Sequence, residues 1–193
     1  MTSATQEIAF LLLKHIHVLV QQAPGVYDDE YASLFVRYSD TLYVQRLKIQ
    51  LLSLVTNDAN FIKIVDELGA LVSPHDAALS QAAIQALGEI SVKRPRAAPL
   101  VADKMCSLLQ RQWTNNHVIQ HECISVAKDI LRKFPPLAAI LLPVLTASFQ
   151  NVEPNTSAQV SLVCVLGHLH TQFAILQLAL LLCCFAVLAL LAS

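Results

Sequence analysis

Glycine is scarce, with four in 193 residues. A sheet protein turns its strands through glycine-bearing loops, and no period-two alternation of apolar and polar residues occurs, so a strand-rich fold is excluded. The same scarcity removes any phosphate cradle. Neither GxxxxGK(S/T) nor GxGxxG is present, and GxSxG and HExxH are missing as well. None of the five cysteines, Cys106, Cys123, Cys164, Cys183 and Cys184, forms a CxxC pair, so they read as small core hydrophobes in a reducing cytosol. Charged residues make up only 14% and the net charge is −1, which gives no electrostatic case for nucleic acid. The opening MTSATQEIAF has no basic region before its apolar stretch, so a secretory signal is not expected.

What the chain does have is helical periodicity. Residues 119–135 read IQHECISVAKDILRKFP. Ile119, Cys123, Val126, Ala127, Ile130, Leu131 and Phe134 recur three and four apart and form one apolar stripe. Gln120, Glu122, Lys128, Asp129, Arg132 and Lys133 make the other face, and Pro135 with Pro136 stops the helix. Similar patterns predict helices over 4–22, 28–38, 42–56, 61–72, 77–93, 100–112 and 137–149. The third is expected to face inward through Val44, Leu47, Leu51, Leu54 and Val55. Asn57, Asp58 and Asn60 are expected to break the chain and cap the fourth helix, and Ser73 to Asp76 to cap the fifth. The fifth carries a small-residue face of Ala78, Ala82, Ala83 and Ala86 that allows close helix approach. Glu153-Pro154-Asn155 divides the eighth helix from a ninth apolar stretch.

Helix pairs recurring every 35 to 45 residues are the pattern of HEAT and armadillo arrays. The expected fold class is all-α: a HEAT/armadillo-like α-solenoid of stacked antiparallel helix pairs with an apolar C-terminal helix. Each pair cannot bury its own apolar face and must stack on a neighbour. A globular helical bundle is the alternative architecture.

No catalytic constellation is visible, and no residues stand out as catalytic, cofactor-binding or metal-ligating. His15 and His17, like His168 and His170, stand two apart, so on a helix they point about 200° away from one another and cannot share one ion. Lys93-Arg94-Pro95-Arg96, with Lys104, is the densest positive patch. It reads as a solvated inter-helix loop or as a surface for anionic lipid or an acidic partner. Trp113, in the loop Trp113-Thr114-Asn115-Asn116, is either an exposed anchor or packed over a helix end.

The wording of several segments is more specific than their periodicity. FLLLKHIHVLVQQAPGV (10–26), FVRYSDTLYVQRLKIQLLSLVTNDAN (35–60), IVDELGALV (64–72), QAAIQALGEISVK (81–93) and KDILRKFP (128–135) resemble segments of the beta-adaptin trunk in the same order and with similar spacing. SLVCVLGHLH (161–170) is a weaker echo, with His168 and Leu169 replacing the usual acidic-aromatic pair. The sequence therefore resembles the beta-type large subunits of clathrin adaptor complexes over roughly residues 3–170. The resemblance implies a non-enzymatic scaffold in vesicle-mediated protein transport. It implies assembly with a second large, a medium and a small subunit, with a small GTPase as a further partner. The expected location is cytoplasmic, peripheral on Golgi/endosomal or plasma-membrane coated vesicles. The clathrin-binding hinge and appendage have no counterpart, so clathrin is expected only indirectly.

Residues 1–171 are thus expected to form the partial trunk and 172–193 a hydrophobic tail. After Lys133, Glu153 is the only charged side chain, and 173–192 reads FAILQLALLLCCFAVLALLA. Twenty such residues are long enough to span a bilayer. A membrane-inserted tail anchor, a buried last helix and a non-homologous end to a truncated gene product all fit. In the first case the chain is a tail-anchored protein built on an adaptin segment; Cys183-Cys184 then reads as buried mid-helix or as a palmitate acceptor near the membrane.

Overall fold

A computed structural model describes residues 3–111, 117–149 and 167. The first helix, α1, covers Ser3–Gln22. It ends where Pro24 removes a backbone donor and Gly25 takes φ +99°, a left-handed conformation that turns the chain back. Along α1, Leu13 and Val20 are buried, and the Phe10 ring meets Tyr43 edge-on at 5.2 Å. This joins α1 to α2, Leu42–Val55.

The helix expected over 28–38 is replaced by a four-residue 3-10 turn, Tyr31–Leu34. The segment is held by tertiary contacts instead. Asp40 accepts from the Arg37 N–H at 2.9 Å and from Lys48 Nζ at 2.6 Å. Lys48 also donates to the Phe35 carbonyl, and Gln6 donates to the Ser39 carbonyl at 3.2 Å. Both ends of the ion pair are only about one-tenth exposed. A short helix has little to offer against a buried charge pair that pins the end of this stretch.

From α2 onward the chain pairs its helices as expected: α3 is Phe61–Ala70, α4 Ala77–Lys93, α5 Ala98–Gln110, α6 His117–Lys133 and α7 Ala138–Phe149. The starts of α2, α4 and α6 (42, 77, 117) are 35 and 40 residues apart. Two rows result. One holds α1, α2, α4 and α6 side by side, and the other holds α3, α5 and α7. All described regular elements are helical.

Local chemistry sets the boundaries. Asp76 caps α4 by accepting from the Leu79 N–H at 2.9 Å, and Ser80, fully buried, closes the preceding turn through both backbone groups of Ser73. At α3 the cap differs from the expected one. Asn57 accepts from the Ala59 and Asn60 N–H groups, whereas Asn60 turns inward to donate to the Val55 carbonyl. Pro99 sits in the first turn of α5, where its missing N–H costs nothing.

The core runs through the stack without interruption. The α6 stripe is buried as expected at Ile119, Cys123, Val126, Ala127, Ile130 and Leu131, with Phe134 half-buried. On α2 the inner face is broader than its stripe, since Ile49 and Leu52 are buried too while Leu54 is only partly so. A Cβ on Gly88 of α4 would stand 3.0 Å from Val126 of α6, so the absence of a side chain sets how closely these helices approach. The Trp113 loop, the ninth apolar stretch, the tail and the boundary at 171/172 lie outside the described residues.

Candidate interaction site

Arg46, Gln50 and Ser53 stand three and four apart along α2, opposite its buried stripe. Ala78, Gln81, Ala82, Gln85 and Glu89 do the same along α4. The two sets line one trough of about 330 Å³, floored by Ile49 and by the methyl groups of Ala82 and Ala86. Small side chains on α4 keep the trough open. Polar groups on its banks are tied across helices. The Ser53 hydroxyl lies 3.1 Å from a Glu89 carboxylate oxygen and 2.9 Å from the Gln50 carbonyl. On the far side, the amides of Gln81 and Gln85 both donate to Glu122 of α6, at 3.1 and 2.8 Å. A polar network therefore crosses α2, α4 and α6.

The basic cluster lies on the exposed turn between α4 and α5, as the solvated-loop reading expects, and its cations also find partners. Arg96 pairs with Asp58 at 3.3 Å, Lys104 pairs with Asp66 at 2.7 Å, and Arg94 donates to the Thr56 carbonyl at 3.1 Å. In each case the partner lies thirty-eight residues back (96 − 58, 104 − 66, 94 − 56). Lys93 pairs with Glu89 one turn away, and Lys133 of the next pair donates to the Val92 carbonyl. Arg94, Arg96, Lys104 and Lys133 thus reach across to neighbouring helix pairs, while Lys93 pairs within α4.

His15 is exposed and His17 half-buried on α1. No group of three His, Cys, Asp or Glu among the described residues could hold a metal. Cys106 and Cys123 are buried free thiols. Burial, with a smaller contribution from Glu122, pushes the Cys123 thiol up to about 12, so it stays protonated at neutral pH. Burial, with Asp103 adding, raises Cys106 as well. His168, His170, Cys183 and Cys184 lie outside the described residues. The trough was missed by sequence reading. Its signal was the polar repeat 46, 50, 53 facing the alanine and glutamine repeat 78, 81, 82, 85.

The family model for the Adaptin N terminal region matches residues 1–181. The chain belongs to the adaptin family. Relatives of this adaptin segment include the Beta-adaptin-like protein A of Arabidopsis thaliana, 28% identical over 167 residues, covering 86% of this chain and 19% of that protein. The AP-1 complex subunit beta of Dictyostelium discoideum is 28% identical over 165 residues, covering 86% and 17%. The AP-2 complex subunit beta of Schizosaccharomyces pombe is 25% identical over 166 residues, covering 86% and 24%. The chain thus spans about a fifth of the length of these curated relatives. The beta-type resemblance and the all-helical architecture both stand. Among the described residues, no helix is long and apolar enough to cross a membrane.

Proposed function

We propose that this adaptin segment is a non-enzymatic scaffold within a clathrin-associated adaptor complex, acting in vesicle-mediated intracellular transport. The observation that carries the reading is the adaptin match over residues 1–181, joined to beta subunits of AP-1 and AP-2 complexes as relatives. A stack of helix pairs supports it physically, because such a stack presents a long continuous face to other chains. Its partners are the second large, the medium and the small subunits, with a small GTPase as regulator. Clathrin is reached only through those subunits, and the assembly sits on the cytosolic face of Golgi/endosomal or plasma membranes.

The test is recovery of the tagged full-length chain from cells, followed by mass spectrometry of what accompanies it. A medium-type adaptor subunit is expected to be retained more readily than clathrin. Direct recovery of clathrin, with no other adaptor subunit present, would overturn that order and with it the scaffold reading.

A further inference from the structure

The trough between α2 and α4 has a polarity that selects its occupant. Ser53 and Glu89 meet across the interface, and Arg46 and Gln50 line the same space as Ala78 and Ala82. The two helices therefore run parallel, with residues thirty-six apart side by side. Arg46 then stands level with Ala82, and Glu89 lies seven residues further along, about 10.5 Å at the rise of an α-helix. Arg46 makes no ion pair with any described residue. Glu89 commits one carboxylate oxygen, Oε2, to Ser53 and Lys93, and its Oε1 accepts nothing from the described residues. One bank of the trough thus offers a cation, and the opposite bank offers a carboxylate oxygen.

We propose that this trough binds a short extended segment of a partner protein bearing an acidic and a basic side chain three residues apart. The proposal rests on the scaffold reading above and specifies what one part of that scaffold recognises. An extended chain advances about 3.3 Å per residue, so three residues cover the distance from Arg46 to Glu89. Successive side chains of such a chain point to opposite sides. Residues three apart therefore face opposite banks, one toward Arg46 on α2 and one toward Glu89 on α4. The side-chain amide of Gln50 on one bank and the Gln85 carbonyl oxygen on the other remain free to pair with the segment's backbone. The alanine floor gives the segment's backbone room to approach.

The test uses the full-length chain fused to a soluble carrier and held on beads, probed with fluorescein-labelled octapeptides. Two carry the spaced charges in either direction, SGDAAKGS and SGKAADGS. One control, SGDKAAGS, places them side by side, and another, SGSAASGS, has none. One spaced peptide is expected to bind at least about fivefold tighter than either control. Arg46→Glu, an exposed change that leaves the core untouched, is expected to weaken that peptide about tenfold, the scale of one charge-assisted hydrogen bond. Replacing the peptide's aspartate by lysine should then restore binding to the variant. Ala82→Leu, which fills the floor, should remove binding at unchanged helicity by circular dichroism.

Equal binding of the spaced and adjacent peptides, or indifference to Arg46→Glu, would overturn the proposal. So would capture of phosphatidylserine vesicles that depends on Arg46 in the absence of peptide binding, which would make this a lipid-facing surface. If the chain retains a medium-type subunit while every peptide fails, the trough assignment alone falls. If it retains no adaptor subunit yet binds the spaced peptide, the scaffold reading falls and the trough stands.

Discussion

Helices α1 and α4 are both long and rich in apolar residues, yet they are buried to very different degrees. In α4, Ile84, Leu87 and Ile90 are wholly buried, because α2 packs on one flank, α6 on the other, and α3 and α5 lie behind. Among the described residues, α1 packs against a helix, α2, on one flank alone. Ile8, Leu11, Leu12, Val18 and Leu19 form a second apolar stripe that stays more or less half exposed. The positions 8, 11, 12, 18 and 19 lie on one face of the helix, with His15 between them, so they could line a core. Burial in a stacked array is thus set by where a helix sits in the row, and apolar periodicity reports only the capacity to be buried.

The comparison can be broken most decisively at an interior position. Ile130 is wholly buried on α6, and Ile130→Ala should cost about 2–5 kcal/mol. Leu12→Ala on the open stripe of α1, like Lys128→Ala on the polar face of α6, should stay within about 0.5 kcal/mol. Chemical denaturation of the three variants measures this, and similar losses at Ile130 and Leu12 would mean that α1 is covered in solution. A smaller effect should follow from crowding the interior. Gly88→Leu drives a side chain into Val126 and should cost about 1–3 kcal/mol, read as a lowered denaturation midpoint. Smallest are the surface pairs. Arg96→Ala and Lys104→Ala remove exposed ion pairs between neighbouring repeats, and each should shift stability by no more than about 0.5 kcal/mol, less at high salt. A large loss at either would show that the stitching between pairs carries the stack.

The helices that sequence reading placed well are those whose signals are local. The apolar stripe of α6, the Asp76 cap of α4 and the prolines that end α6 lie within a turn or two of what they specify. The segment holding Tyr31–Leu34 was expected to be a helix over 28–38 because its sequence pattern was local too. Its actual shape is dictated from further off, by Lys48 on Asp40 and by Gln6 thirty-three residues away. The same reason hid the trough. Arg46, Ser53, Ala82 and Glu89 become neighbours only once the register between α2 and α4 is known. The basic cluster looked free because Asp58, Asp66 and Thr56 lie one whole repeat upstream of their partners.

The 3-10 turn at Tyr31–Leu34 leaves α1 without the second-row partner that α3, α5 and α7 give to the helices after it. A stack whose units contact only their neighbours opens from its ends, each unit in proportion to the interface it shares. Among the described helices of the first row, the shared interface is smallest at α1 and largest at α4. Hydrogen exchange is therefore expected to show α1 opening from α2 before the interior yields, while the Lys48–Asp40 pair holds the start of α2 in place. The backbone amides of α1 are then the first to meet solvent, and those of α4 are exposed only when the whole array unfolds.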